Sequence, residues 1–483
     1  MGHTLPSFID YFIIIVYLLI ITLIGIFSGG KQRTVKDYFL GSDVVPWWAV
    51  CFAIVAAETS TLTFISIPGL AYLTNLNFLQ LTFGYLLGRI IVAFILLPSY
   101  FKGELSTAYA FLENRFGYKT RTFASIIFMF TRTAADGVRL FATAIPLKLM
   151  LNIDYPLAIL IIGIVTLIYT SFGGVRGIIW VDVVQMLVYL GGALISGIIL
   201  LQLIPNGWNG FISIGLASNK FSLFNLGFNN GLTDFFSQPY TLIGGLIGGA
   251  FLSMASHGTD QLIVQRLLAT KNLKQAQKAI IGSGIIVIIQ FAIFLIVGVM
   301  LFVFYGKMNM RSDEIFPYFI INVIPNGLKG FIIAGLFAAA MSTLAGSISS
   351  LSSSTMLDLI NPYFKKLVDE KKKLILSRII TMFWASLLIG VAFFFMKSSQ
   401  AVVEIALSIA SFTYGGLLGT FLLGILNKKS TQEDALAGFT SGIFAMITVI
   451  SLKITAWTWF TFIGVFVTII IGSFLAFLQK QDQ

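Results

Sequence analysis

Apolar residues in this chain come in long, nearly unbroken runs. They show neither the two-residue alternation of a half-buried strand nor the one-sided stripe of a soluble helix. At 1.5 Å of rise per residue, about 20 residues cross the roughly 30 Å of a bilayer's hydrocarbon. Thirteen runs come up to that length: 7–28, 45–73, 77–100, 122–150, 154–172, 177–204, 239–267, 277–306, 328–358, 375–397, 400–426, 431–452 and 455–478. The pattern predicts an all-α integral membrane protein of about 13 transmembrane helices. The first run lacks both a basic start and a small-residue cleavage site, so it reads as a retained helix. Two runs carry a polar interruption halfway along, "IVAAETSTLTFISIPG" and "MASHGTDQLIVQR". Residues 205–238 form the longest stretch between runs and are too few to build a core of their own. They separate five spans (45–204) from five more (239–426), with an extra helix and loop before (1–44) and two helices after (427–483). An odd number of spans per half turns the second half over relative to the first. That is the arithmetic of inverted-repeat transporters, whose site forms where the first helix of each half is interrupted.

Composition agrees with a membrane solvent. The chain of 483 residues is 57% hydrophobic and 11% charged, too few charges to cover a soluble surface. The net charge of +11 gathers in alternate loops, around Lys31 to Lys36, Lys102 to Arg121, Arg266 to Lys278 and Lys365 to Arg378. Because basic loops stay on the cytoplasmic side, the N-terminus is expected outside and the C-terminus inside a cell membrane. No basic patch interleaves with aromatics outside the spans, so the charge does not point to nucleic acid. The single cysteine, Cys51, excludes a disulfide framework and a thiolate metal cluster. No obligatory protein partner is evident.

Ionisable residues inside spans are costly and mark either function or a partner. Glu58, flanked by Thr59, Ser60 and Thr63, is a paired structural group or a contact for solute or ion. Asp136 and Arg139, three apart, form a local ion pair or bind solute. Arg89 either snorkels to the cytoplasmic surface or has a functional role. Asp182, in the span that begins after the Gly173–Gly174 turn and the anchor Arg176, is either satisfied by Arg176 or belongs to a cytoplasmic-side cation relay. His257, Asp260 and Gln261 occupy the second interruption, with no second His or Cys to make a metal pair.

The segment "FAAAMSTLAGSISSLSSSTMLDL" (337–359) crowds hydroxyls into an apolar run. Ala339, Ser342 and Thr343 at i, i+3 and i+4 bring a carbonyl and two hydroxyls to one helix face. Oxygen ligands without a carboxylate suit a hard monovalent cation such as sodium, with carbonyls from an interrupted helix completing the set. Small and hydroxyl residues also serve close helix packing, and the segment alone does not separate the two.

Several stretches together resemble the sodium/solute symporter family of sodium-coupled glucose, sialic acid, iodide and proline carriers: "DYFLGSDVVPWWAV", "YAFLENRFG", "YTSFGGVRGIIWVDVVQ", "TDQLIVQRLLATKN", "AAAMSTLAGSISSLSSSTMLDL" and "GGLLGTFLLGILNKK". They follow the family order from about residue 35 to 430. The resemblance implies a LeuT-type 5+5 inverted repeat with one extra N-terminal and two extra C-terminal helices. It also implies a sodium ion held by the carbonyls of Ala56, Thr59 and Ala339 and the hydroxyls of Ser342 and Thr343. Asp182 then lies on the sodium exit route. A second sodium site, which some members build from hydroxyls at the positions of Ala345 and Gly346, looks degraded. The lysine and glutamine of sugar carriers align with Val287 and Leu407, and the arginine of sialic acid carriers with Ala135. What remains to line a solute cavity is Glu58, Ser60, Thr63, Phe78, Thr82, Asp136, His257 and Gln261, a set with acceptors in excess. The expectation is a sodium-coupled symporter, not an enzyme, importing a small polar solute such as a sugar or polyol with one sodium. An amino acid, carboxylate or vitamin is the alternative solute, and a membrane-embedded sensor or passive channel the more remote reading.

Overall fold

The computed structural model describes residues 6–228, 231–364, 369–396 and 402–479. Among these there is no strand, only an isolated bridge between Val45 and Thr270. Helices lie over all thirteen apolar runs: α1 (Phe8–Ser28), α2 (Trp47–Glu58) with α3 (Thr61–Leu73), α4 (Leu79–Ile91), α5 (Tyr118–Leu151), α6 (Tyr155–Leu203), α7 (Leu242–Gly258) with α8 (Gln261–Leu268), α9 (Leu273–Tyr305), α10 (Leu328–Ser354), α11 (Glu370–Phe395), α12 (Val402–Leu426), α13 (Gln432–Ser451) and α14 (Phe460–Leu478). Among the described residues eight helices are long and apolar enough to cross a bilayer, nine with the bent pair α2 and α3 counted as one span. Two of the runs share α6, whose arms meet at a kink, and α5 falls short because Arg132, Asp136 and Arg139 sit in its middle.

The fold is shaped by where helices stop inside the protein. Between α2 and α3, Thr59 and Ser60 are extended (ψ 98° and 165°) and the two helices meet at 68°. Ser60 restarts the helix, its Oγ accepting from the Thr63 amide at 3.3 Å. The second interruption works the same way. Asp260 is extended, and its Oδ1 caps α8 by accepting from the Leu262 amide at 2.9 Å. Within α6 the kink is at Gly174, with φ +56°. A Cβ there would stand 2.7 Å from the Tyr38 carbonyl oxygen, so both backbone conformation and space require glycine.

α10 is the buried axis, with 94% of its most apolar window enclosed. It packs along α6, α5 and α1, while α1 closes on α6 through Gly25 and Gly29 against Gly173. Small residues at such crossings let backbones approach in the absence of a hydrophobic drive between helices. Most of the α10 serines bond back to their own helix, as Ser347 to Thr343 O (3.0 Å) and Ser352 to Ile348 O (2.6 Å). Outside the spans, the Asp37 carboxylate accepts from the amides of Arg33 and Thr34 at 2.9 and 3.0 Å and caps the helix Val35–Leu40. Lys220 straps the segment after α6 to the end of α3, donating to the carbonyls of Tyr72 and Thr74 (2.5 and 2.9 Å).

Candidate functional site

The α2 ladder ends with the Thr59 amide on the Val55 carbonyl at 3.1 Å, so the Ala56 carbonyl lies past its last bond. This break faces α10: Thr61 Oγ1 donates to Leu336 O at 3.0 Å, one turn before Ala339. On that face Thr343 Oγ1 donates to Ala339 O at 3.2 Å. Ser342 Oγ donates to Asp182 Oδ1 at 2.6 Å, which leaves the hydroxyl's lone pairs as acceptors. The Thr59 hydroxyl is fixed between the Val55 carbonyl (2.8 Å) and the Gln290 amide nitrogen (2.7 Å), and Gln290 accepts in turn from Tyr189 at 3.0 Å.

Asp182 is held by Arg266, whose Nε and Nη2 donate at 3.2 and 2.9 Å, so its partner is not Arg176, six residues before it on the same arm of α6. The Arg266 guanidinium also fills the space beside Gly346, where a Cβ would stand 2.9 Å from Nη2. Arg89 does not snorkel to a surface. It is fully buried, paired with Glu58, and donates to Ser283 Oγ at 2.8 Å. A carboxylate 20% exposed at a helix break needs a fixed counter-charge, and Arg89 on α4 supplies it. Asp136 accepts from Arg139 at 2.9 Å, from Arg132 at 3.3 Å and from Ser347, while Arg132 also pairs with Asp260. Tyr414 completes this layer by donating to Asp260 at 2.9 Å.

Above these layers lies a cavity of about 370 Å³. It runs from Glu58, Ser60 and Thr343 at the break up to Ser312 and Trp457, at the end of the bundle where α1 begins. A smaller pocket of about 160 Å³ adjoins it beside His257. Towards the other end the path is closed by the Arg132, Asp260 and Tyr414 layer and, further on, by Arg121 on Asp358 (2.7 Å).

Of the residues expected to line a solute cavity, Glu58, Ser60, Thr63 and Phe78 do so, Phe78 stacking on Phe291 at 5.1 Å. His257 reaches the smaller pocket, its Nε2 3.6 Å from Glu58. Asp136 borders a small recess next to Thr343. Thr82 and Gln261 do not line the cavity. Thr82 is buried and donates to Leu79 O at 2.7 Å. Gln261 instead ties α8 to the Ala108 amide (2.9 Å) and to Ser353 (3.2 Å). Val287 is fully buried, and the Leu407 side chain lies outside the described residues. The expected excess of acceptors is absent, because each of these carboxylates has a guanidinium beside it. Reading the sequence missed Arg132, which sits four residues before Asp136 and was as legible as Arg139. It also missed Tyr240, Phe291 and Trp457, aromatic residues in apolar surroundings that carry no local signal.

The chain matches the sodium:solute symporter family over residues 38–442. It is 28% identical over 448 residues to the sodium/sialic acid symporter of Proteus mirabilis, covering 91% of this chain and 89% of that one. With the sodium/sialic acid symporter of Aliivibrio fischeri it shares 27% identity over 481 residues, 98% of this chain and 94% of the relative. A solved structure of a sodium-coupled sialic acid symporter, substrate-bound and outward-open, superposes with a TM-score of 0.87 at 27% identity and covers 98% of each chain. Interrupted helices opening two sets of five, an oxygen-rich face on α10 and this match have one reading: the chain belongs to the sodium:solute symporter family and is a sodium-coupled symporter with the LeuT-type fold.

Proposed function

We propose that this protein imports a small polar organic solute with one sodium ion by alternating access. The observation that carries the reading is the α2–α3 break held against α10 by Thr61 and Leu336. The Ala56 carbonyl is freed at this break, and Ala339, Ser342 and Thr343 follow Leu336 on α10, which supports a sodium bound by Ala56, Thr59, Ala339, Ser342 and Thr343 that bridges the two elements. Sodium entering from the side where α1 begins, taken as outside from the distribution of basic loops, fastens α10 to the broken helix and prepares the cavity floor. Solute closes the cavity above, and the layers below open to release sodium past Asp182. A single sodium is favoured because Arg266 already neutralises Asp182 and occupies the space beside Gly346. The relatives named above are sodium/sialic acid symporters, and sialic acid is compatible with a cavity of this size that has polar groups at its floor.

Uptake into proteoliposomes with an inward sodium gradient, compared with potassium, tests the reading. Accumulation of a solute that needs the gradient, and is lost in Ser342→Ala/Thr343→Ala, is expected. Sodium-independent equilibration of the solute marks a passive channel and overturns it.

A further inference from the structure

The cations around the cavity are not equally occupied. Arg89 is spent on Glu58 and Ser283, and Arg132 on Asp136 and Asp260. Arg139 also lines the cavity and its smaller neighbour, and its side chain is 24% exposed. Among the described residues its guanidinium donates once, from Nη1 to Asp136 Oδ1 at 2.9 Å. An arginine has five N–H donors in a planar fork matched to a carboxylate. Four of those donors are therefore left over on the most exposed of the three guanidiniums, where Arg89 and Arg132 are each buried between two partners.

Charge balance points the same way. Three guanidiniums (Arg89, Arg132, Arg139) face three carboxylates (Glu58, Asp136, Asp260). Sodium binding beside Thr343, which borders the same recess as Asp136 and Arg139, leaves this region one charge positive. In a weakly solvated site, uncompensated charge is costly, and an anion restores neutrality. The wall facing the polar floor is apolar: the Phe78 and Phe291 stack, Tyr85, Leu252 and Trp457.

We propose that Arg139 is the anion-receiving group of the cavity and that the solute is a small monocarboxylate with an apolar body, its carboxylate on Arg139 and its body against the Phe78–Phe291 wall. The inference rests on the symporter reading above and fixes the solute's chemical class. Sodium and solute then assist each other through charge, each binding more tightly with the other present.

Thermal unfolding of the purified full-length protein tests this, with and without sodium. The probes are benzoate, phenylacetate, nicotinate, 2-oxoisovalerate and N-acetylneuraminate, each beside its amide. At least one acid is expected to raise the unfolding temperature in sodium, with its amide ineffective at tenfold higher concentration. Arg139→Gln should weaken that acid at least tenfold while keeping the shift caused by sodium alone, since Asp136 retains Arg132 and Ser347. Arg139→Lys should recover part of the loss. If sodium stabilises the protein and no acid outperforms its amide, or if Arg139→Gln binds the acid as the parent does, the inference is overturned and the symporter reading stands. If sodium does not stabilise the parent, both fall.

Discussion

Ser342 and Thr343 offer the most direct test at the scale of one atom. A ligand bound only by the folded state adds about 2.7 kcal/mol of stability at a hundred times its Kd. Ser342→Ala/Thr343→Ala should lose that sodium-dependent gain while unfolding near the parent temperature in potassium; differential scanning in a sodium titration reads both. The Glu58–Arg89 pair belongs to another class of effect. Removing one partner strands a buried charge, so Arg89→Ala should destabilise by about 3–5 kcal/mol, and Glu58→Gln/Arg89→Met should recover much of it. Denaturation of the single and double variants checks the order. Asp37 makes a pH prediction. Burial alone would raise its pKa, but hydrogen bonds from the Ser42 hydroxyl and the Arg33 and Thr34 amides outweigh it and hold the carboxyl below the usual carboxylate range. Folding therefore favours the ionised form. The resulting stability is full above the unfolded carboxylate's pKa and is lost as pH falls through the lowered folded value. Asp37→Asn should cost about 1 kcal/mol at pH 7 and show a flatter acid limb in stability against pH. At this scale the sequence was half legible. Glu58, Asp136 and Asp182 stood out because isolated carboxylates are rare in apolar runs. The partners Arg89 and Arg266 sit on other helices, and Arg132, one turn before Asp136, reaches Asp260 on a different element; pairing across helices depends on packing that no spacing encodes.

The elements were more legible, because in hydrocarbon the backbone must satisfy itself and long apolar runs can only be helices. The positions of the breaks were visible too, since Thr59–Ser60 and Thr259–Asp260 cluster capping residues where a span should be smooth. The division of α6 was visible as well. Gly173 and Gly174 read as a turn between spans, and Gly174, at φ +56° and ψ −166°, is the non-helical residue where the two arms of α6 meet. Gly174→Ala tests that kink. With positive φ and a Cβ 2.7 Å from a backbone carbonyl, it should cost on the order of 1–3 kcal/mol. Size-exclusion profiles after graded heating provide the measurement, and Gly191→Ala, whose nearest atoms lie 3.5 Å away, is the matched control.

For the whole molecule, the sign of the solute decides what drives accumulation. One sodium with a neutral solute moves a net charge, and each 100 mV adds about 2.3 kcal/mol. One sodium with a monoanion moves none, so accumulation follows the sodium ratio alone, about 1.4 kcal/mol for each tenfold gradient. In proteoliposomes a potassium and valinomycin potential should leave the initial uptake rate of the identified acid unchanged, while a tenfold change in the sodium ratio moves the plateau about tenfold.

The back-bonded serines of α10 have a mechanical meaning. A hydroxyl whose acceptor lies a turn back on its own helix travels with that acceptor, so sliding or tilting the helix as a rigid rod does not disturb it. The bonds at stake in such a shift are those that leave the rod, among them Ser342 to Asp182, Ser347 to Asp136 and, on the helical turns that continue α10, Asp358 to Arg121. They stand at successive heights along its length. α10 is thus a low-friction axle with a few carboxylate latches, and the spacing of those latches sets how far it turns before it must let go.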